Sequence, residues 1–246
     1  MKKYNKTLVI IISLLLIFAI FNVDRIINKS QQIMSLIKIE IMASQVDKIH
    51  SNWEGKTWNA VGDSITENGM YTKLVSAYLG LKTNNFGLAS STIAVNNSYL
   101  KNMSIYERVL DYPDADLWTI FGGVNDWLYK TPVGTINDTD PSTFYGALKA
   151  ICEEILNRPN HPKLILFTPL QSNRNGENEE GVSMQEYRQA IIDVGNLYNV
   201  PVLDLYNVGG INPDNLDTYT RDGIHPNVEG TTLYVPAIVE IIQSLE

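Results

Sequence analysis

From Lys56 onward, short apolar runs alternate with longer stretches in which apolar residues recur at helical spacing. Such alternation is typical of parallel strands joined by crossover helices. The sequence therefore predicts a doubly wound α/β sheet of about five strands with helices on both faces. Strands are predicted at residues 57–61, 83–86, 117–121, 163–167 and 202–205. Helices are predicted near residues 69–80, 142–157, 183–198 and 228–244, the last interrupted or restarted by Pro236.

The chain divides into four predicted segments. Its 246 residues are enough for one good-sized domain, and the alternating pattern places that domain at residues 56–246. Ahead of it we predict a basic tip (1–6), a membrane segment (7–23) and a helical stalk or linker (24–55). The stalk is rich in Ile, Lys, Gln and Ser and contains no Pro, and its Ile and Met residues could seat it on the domain or on a second chain.

The amino terminus predicts a membrane anchor. Residues 7–23 read TLVIIISLLLIFAIFNV, an uncharged run that spans about 26 Å if helical at about 1.5 Å per residue. Residues 19–24, AIFNVD, offer a poor cleavage site, so an uncleaved signal anchor is favoured over the alternatives, a cleaved signal peptide or a buried helix. Because Lys2, Lys3 and Lys6 precede the run, the domain is expected outside a single-pass cell membrane. Secretion after cleavage is the alternative location.

The net charge of the chain indicates that nucleic acid is not a partner. The chain carries 27 acidic and 19 basic side chains, for a net charge of −8. A protein that neutralises phosphates needs clustered Lys and Arg. We therefore expect no nucleic-acid partner.

A Gly-Asp-Ser turn joins the first predicted strand to a helix. Residues 60–66 read AVGDSIT, so Ser64 lies where an open α/β sheet concentrates its ligand sites. An unactivated serine hydroxyl is a weak nucleophile and needs a base. His50 lies in the predicted stalk and His161 at the opposite end of the sheet. His225, in RDGIHPN, follows the last strand and is the candidate base. Asp222, three residues earlier, could orient its ring. The alternative is that Asp222 and His225 belong to an ordinary surface turn.

Two further strand ends supply candidate hydrogen-bond donors. Attack on an ester carbonyl develops negative charge on oxygen, which preformed donors must stabilise. Asn125, in GGVND after the third strand, offers a side-chain amide, and Gly87, in NFGLASST after the second, offers a backbone N–H. Each alone would be read as a turn residue. Together they predict an oxyanion hole.

These blocks resemble the SGNH or GDSL-type hydrolases. The matching segments occur in order as GDSIT (62–66), NFG (85–87), GVND (123–126) and DGIHPN (222–227). The resemblance implies a three-layer, flavodoxin-like α/β/α sandwich with Ser64 as nucleophile, His225 as general base and Asp222 as its orienter. It also implies an oxyanion hole made by Ser64, Gly87 and Asn125. Many relatives carry a second glycine where this chain has Ser90, which leaves the shape of the acyl or alcohol pocket open.

The predicted function is an extracytoplasmic, membrane-anchored serine esterase that uses an acyl-enzyme and no metal or organic cofactor. Its substrate is expected to be a small acyl ester or acylated glycan. The favoured reaction is deacetylation of a carbohydrate or cell-envelope glycan. Trp127 and Tyr129 are candidate sugar-stacking residues, and core packing is the alternative for Trp127. A lipid or thioester acylhydrolase is the other enzymatic interpretation. A non-catalytic acyl-glycan binding module and a structural anchor are the interpretations from other classes.

Overall fold

The structure, a computed structural model, describes residues 6–95 and 104–246, without the side chains of residues 6–22, 24 and 28. Its strands are β1 (Thr57–Gly62), β2 (Lys82–Gly87), β3 (Leu117–Phe121), β4 (Lys163–Phe167) and β5 (Val202–Leu203). Its helices are α1 (Lys6–Ser44), α2 (Ser64–Glu67), α3 (Met70–Leu79), α4 (Ile105–Val109), α5 (Val124–Leu128), α6 (Phe144–Leu156), α7 (Met184–Tyr198), α8 (Leu205–Val208), α9 (Leu216–Tyr219) and α10 (Val228–Gln243). The five predicted strands and four predicted helices are all present.

The five strands form one parallel sheet in the order β2-β1-β3-β4-β5. The chain runs outward from β1 to β2 and then crosses back to β3 on the other side of β1. In an open α/β sheet, a ligand site lies at the carboxyl ends of the strands where this reversal occurs. A ligand site is therefore expected at the segments that follow β1 and β3.

Helices cover both faces of the sheet and produce a three-layer α/β/α architecture. One core combines the sheet with α4, α6 and α7, and the other combines it with α1, α3 and α10. Trp118 is fully buried in the first core and Trp58 in the second. The central strands are buried on both sides, which is why they read as continuous apolar runs in the sequence.

The carboxyl-terminal part of α1 packs on the domain and is not a separate stalk. Ile39 is fully buried in the core shared with α3 and α10. Ion pairs join Lys38 to Glu229 of α10 and Glu40 to Lys73 of α3. The sequence could not decide between packing on the domain and packing on a second chain, and the structure shows the first. Further residues of this segment that pack against the core are Leu36, Met42, Ala43 and Ile49.

The predicted membrane segment, residues 7–23, falls in the amino-terminal part of α1. Apart from Val23, its side chains lie outside the described residues. In the part of the chain that is described, no helix has both the length and the apolar character required to cross a bilayer.

Pro236 does not interrupt the last helix, so that prediction is wrong. α10 runs without a break through Pro236. A proline removes one backbone hydrogen bond, but its neighbours Tyr234, Val235 and Ile238 are buried against the sheet. Tertiary packing therefore holds the helix together across the proline.

Candidate active site

The turn after β1 presents Ser64 at the carboxyl edge of the sheet. A Cβ atom at Gly62 would lie 2.2 Å from Thr66 Oγ1 and 2.6 Å from the Phe121 carbonyl oxygen, so glycine is required there. Asp63 caps α2, and its carboxylate accepts a hydrogen bond from the Ile65 N–H at 2.9 Å. Burial raises the pKa of Asp63 to about 6. Asp63 therefore fixes the turn, and Ser64 is the residue that faces outward.

Ser64, His225 and Asp222 form a continuous hydrogen-bonded chain. Ser64 Oγ lies 2.8 Å from His225 Nε2, and His225 Nδ1 lies 2.7 Å from Asp222 Oδ2. A carboxylate facing Nδ1 places the proton there, which leaves Nε2 as the acceptor for the serine hydroxyl. The structure brings together these three predicted residues from opposite ends of the domain.

The segment from Asp222 to His225 is folded around the carboxylate. Asp222 Oδ1 accepts the backbone N–H groups of His225 and Ile224 at 2.8 and 3.1 Å, and Gly223 makes the turn possible with a φ of +82°. Burial alone would raise the pKa of Asp222, but these bonds and the adjacent imidazole outweigh it and lower the pKa below the ordinary value. Asp222 is thus held as an anion beside the ring.

Asn125 lies at the end of β3, where the sequence places it. Gly123, with a φ of +115°, precedes α5 and turns the chain so that Asn125 falls in its first turn. The side-chain amide donates one hydrogen to the Ser91 carbonyl oxygen at 2.9 Å, and Asn125 lines the same cavity as Ser64. The second amide hydrogen remains available for a substrate oxygen.

The structure does not support Gly87 as a donor to the site. Its N–H is bonded to Asn85 Oδ1 at 2.9 Å, and Gly87 does not line the cavity that contains Ser64. A Cβ atom at this position would lie 2.0 Å from the Glu67 backbone nitrogen. Gly87 is therefore a glycine because α2 packs directly against the end of β2.

Ser90, three residues after Gly87, lines the cavity that Gly87 does not line. It lines the cavity together with Ser64 and Asn125 and adopts the left-handed conformation, with a φ of +64°. The backbone N–H groups of Ser64 and Ser90 have no acceptor among the described residues. The residues Ser64, Ser90 and Asn125, which carry two backbone donors and one side-chain amide, thus line a single cavity.

Trp127 and Tyr129 have different surroundings. Trp127 is 9 % exposed, and its Nε1–H donates to the Gly176 carbonyl oxygen at 3.0 Å. It does not line the cavity, so core packing, the alternative to sugar stacking, is what the structure shows for Trp127. Tyr129 does line the cavity.

The cavity beside Ser64 is small and largely apolar. Its volume is about 250 Å³, below the roughly 300–1,000 Å³ common for drug-sized ligands. Its described apolar lining residues are Ile65, Ala89, Val124, Leu128 and Ile224. Across residues 6–95 and 104–246, no group of three or more His, Cys, Asp or Glu side chains is arranged to hold a metal ion.

Comparison with protein families covers most of the domain. A sequence model described as the GDSL-like lipase/acylhydrolase family matches residues 60–233. The chain belongs to this family. The matched region includes the Gly-Asp-Ser turn, Asn125 and the segment from Asp222 to His225. As a GDSL-family member, the chain is a serine hydrolase that acts on ester bonds.

Three solved structures resemble this chain in fold. A protein from Lactobacillus plantarum is 26% identical with a TM-score of 0.70, and the match covers 78% of this chain and 98% of that one. Two further matches each cover 78% of this chain and 100% of the other chain. One is an aryl esterase from M. smegmatis, with 17% identity and a TM-score of 0.61. The other is a carbohydrate acetylesterase from Sinorhizobium meliloti, with 16% identity and a TM-score of 0.60. These two likenesses show the fold. No curated protein sequence matches the GDSL-family chain significantly.

Sequence reasoning missed Asp126 and Arg174 in this GDSL-family site. The Asp126 carboxylate is fully buried and accepts the N–H groups of Ile93 and Ala94 at 2.8 and 3.1 Å, which ties the segment after Ser90 to α5. Burial raises the pKa of Asp126 to about 7. Arg174 lines the cavity from a loop that the sequence showed only as a polar connection or rim. The available signal for Asp126 was its place in the GVND block.

Proposed function

We propose that Ser64 is the nucleophile of this esterase, with His225 as general base and Asp222 as the residue that orients it. The observation that carries the assignment is the hydrogen-bonded chain from Ser64 Oγ through the imidazole to the Asp222 carboxylate, at 2.8 and 2.7 Å. Nucleophile, base and orienting anion in this arrangement are what acyl transfer requires.

In the proposed reaction, His225 Nε2 takes the Ser64 proton as Oγ attacks the ester carbonyl carbon. The carbonyl oxygen becomes an anion, which the N–H groups of Ser64 and Ser90 and the Asn125 amide stabilise. His225 then donates the proton to the departing alcohol oxygen. Water, deprotonated by His225, then attacks the acyl carbonyl carbon. The bond to Ser64 Oγ breaks, His225 returns the proton to Oγ, and the acid is released. Ser90 replaces Gly87 in this scheme because Ser90 lines the cavity, whereas Gly87 does not and its N–H is bonded to Asn85 Oδ1.

The proposed substrate is a short acyl ester, and the favoured candidate is an acetyl ester of a carbohydrate or cell-envelope glycan. The small apolar cavity supports a short acyl group, and Tyr129 in its lining offers a ring to a sugar. The carbohydrate acetylesterase from Sinorhizobium meliloti with the same fold supports the choice of alcohol. A hydrolysis screen tests it: acetylated sugars and acetyl esters should be the best substrates. A maximum at long acyl chains or at thioesters would instead identify a lipid or thioester acylhydrolase.

We also propose that residues 7–23 anchor the enzyme in the cell membrane with residues 56–246 outside. The uncharged run and the preceding lysines support this topology. Protease added to intact cells should remove the catalytic domain and leave a membrane-embedded fragment. Recovery in the cytosolic fraction, or in the medium with a new amino terminus soon after Val23, would reject the anchor.

A further inference from the structure

Arg174 introduces a permanent positive charge into the cavity that holds Ser64 and His225. Among the described residues that line this cavity, it is the only Lys or Arg. The remaining walls are mostly apolar, so they screen the charge less than water does. The chain as a whole has a net charge of −8, which makes a cation at this position a local exception.

Within residues 6–95 and 104–246, the Arg174 guanidinium has no counterion. Its Nε atom is buried without a hydrogen-bond partner, and no described carboxylate lies within ion-pair distance of its side chain. Arg188, in contrast, is paired with Asp204 at 2.5 Å. A buried donor without an acceptor is unfavourable, and none of the described residues supplies an acceptor for Arg174 Nε or a carboxylate for its terminal nitrogens.

The position of Arg174 is fixed relative to His225. Its guanidinium lies over the Trp127 ring, 5.6 Å from the centroid, and its backbone N–H donates to Ser172 Oγ at 3.1 Å. The N–H of the preceding residue, Asn173, donates to the Gly223 carbonyl oxygen at 2.8 Å. The loop that carries Arg174 is therefore bonded to the segment that carries Asp222 and His225.

We propose that Arg174 binds an anionic group of the substrate, so that this enzyme prefers esters that carry a carboxylate or a phosphate. The planar guanidinium presents paired N–H donors that match the oxygens of either group. The stack on Trp127 and the loop hydrogen bonds pre-orient these donors. This inference rests on the proposed hydrolysis at Ser64 and adds the charge of the substrate.

The test compares matched esters in wild-type and variant enzymes. The carboxylate probe is 4-acetoxybenzoate with methyl 4-acetoxybenzoate as its neutral partner. The phosphate probe is 4-acetoxyphenyl phosphate with its dimethyl ester. For each pair, the quantity measured is the ratio of kcat/KM for the anionic ester to that for the neutral ester. Comparing this ratio between enzymes cancels the differences between leaving groups.

Wild-type enzyme should favour at least one anionic ester, and Arg174→Met should lower that ratio about tenfold or more, mainly through KM. Methionine preserves an apolar contact with Trp127 and removes the charge. Arg174→Lys should retain part of the preference. The control Arg221→Met removes an arginine from the His225 loop that does not line the cavity, and its ratio should equal that of wild type.

The pair of esters whose kcat/KM ratio falls in Arg174→Met identifies the anion that Arg174 binds. A fall for the benzoate pair indicates a carboxylate, and a fall for the phenyl phosphate pair indicates a phosphate. The proposal is overturned if wild-type enzyme shows no preference for either anion, or if Arg174→Met keeps the preference while its melting temperature is normal. Hydrolysis of the neutral esters that depends on Ser64 but ignores charge would reject this inference alone. Absence of any hydrolysis that depends on Ser64 would reject the proposed function itself.

Discussion

The side-chain amide of Asn125 donates a hydrogen bond to the Ser91 carbonyl oxygen at 2.9 Å, and Ser90, the residue before Ser91, lines the same cavity as Asn125. This bond fixes the Asn125 amide plane, so its second hydrogen has a defined direction. A donor oriented before the reaction stabilises the charge that develops on the carbonyl oxygen without rearrangement.

Asn125→Ala should therefore act mainly on the chemical step. We expect kcat to fall by about 10² to 10³-fold with little change in KM, equivalent to about 2.7–4 kcal/mol of transition-state stabilisation. The Ser64 and Ser90 N–H groups remain, so acyl-enzyme formation should slow but persist. Steady-state kinetics and the melting temperature are measured on one preparation. A destabilised variant with normal kcat would make Asn125 a structural residue only.

His225→Ala should reduce hydrolysis by at least about 10³-fold, because Ser64 loses its base. His50→Ala and His161→Ala are the matched controls, since both side chains are exposed and neither lines the cavity. Their kcat/KM values should stay close to wild type. Loss of activity in His161→Ala with retention in His225→Ala would contradict the proposed triad.

Ile39→Ala should lower the free energy of unfolding by about 2–5 kcal/mol, because it removes a fully buried side chain where α1 packs on the domain. Ile41→Ala is the control on the same helix, since Ile41 is 52% exposed, and it should have little effect. Urea unfolding of the two variants measures the difference. Equal stabilities would show that α1 does not pack on the domain in solution.

Asp126 should make the stability depend on pH. Burial raises the pKa of its folded carboxyl to about 7, above the ordinary value of about 3.9, so between these pH values the folded state binds a proton that the unfolded state lacks. The free energy of unfolding should therefore decrease as the pH rises through this window. Asp63, with a pKa of about 6, contributes in the same direction.

The Asp126 contribution is isolated by Asp126→Asn, which cannot titrate. Urea unfolding at pH 5 and pH 8 should show a smaller pH-dependent loss of stability in the variant than in wild type. The comparison uses the change between the two pH values, because the substitution also alters the hydrogen bonds to Ile93 and Ala94. An identical change in both proteins would be inconsistent with the raised pKa of Asp126.

The sheet, and the meeting of Ser64, Asp222 and His225 at its edge, were predictable because their signals are local. Each strand is a short apolar run, and Ser64 and His225 follow strands that end at the same edge. The sequence could not show that Ser90, and not Gly87, lines the cavity, because glycine indicates conformational freedom, whereas the direction of an N–H depends on the path of the whole loop. Ser90 achieves the left-handed conformation, with a φ of +64°, without being glycine.

Residues whose roles depend on long-range contacts could not be assigned from the sequence. Arg174 lies in a polar loop, and only the folded chain shows that this loop is bonded to the Gly223 turn. The buried position of Ile39 likewise depends on α3 and α10, which are distant in the sequence. Pro236 was misjudged for the same reason, because the packing that supports the helix comes from elsewhere in the domain.

The most direct test of the central claim, that Ser64 is the nucleophile, is the kcat/KM of folded Ser64→Ala on a simple acetyl ester. The variant lacks the oxygen that forms the acyl-enzyme and changes little else at the surface of the turn. We predict a loss on the order of 10³-fold or more relative to wild type, with an unchanged melting temperature. Wild-type activity in this variant would contradict the assignment of Ser64 as nucleophile.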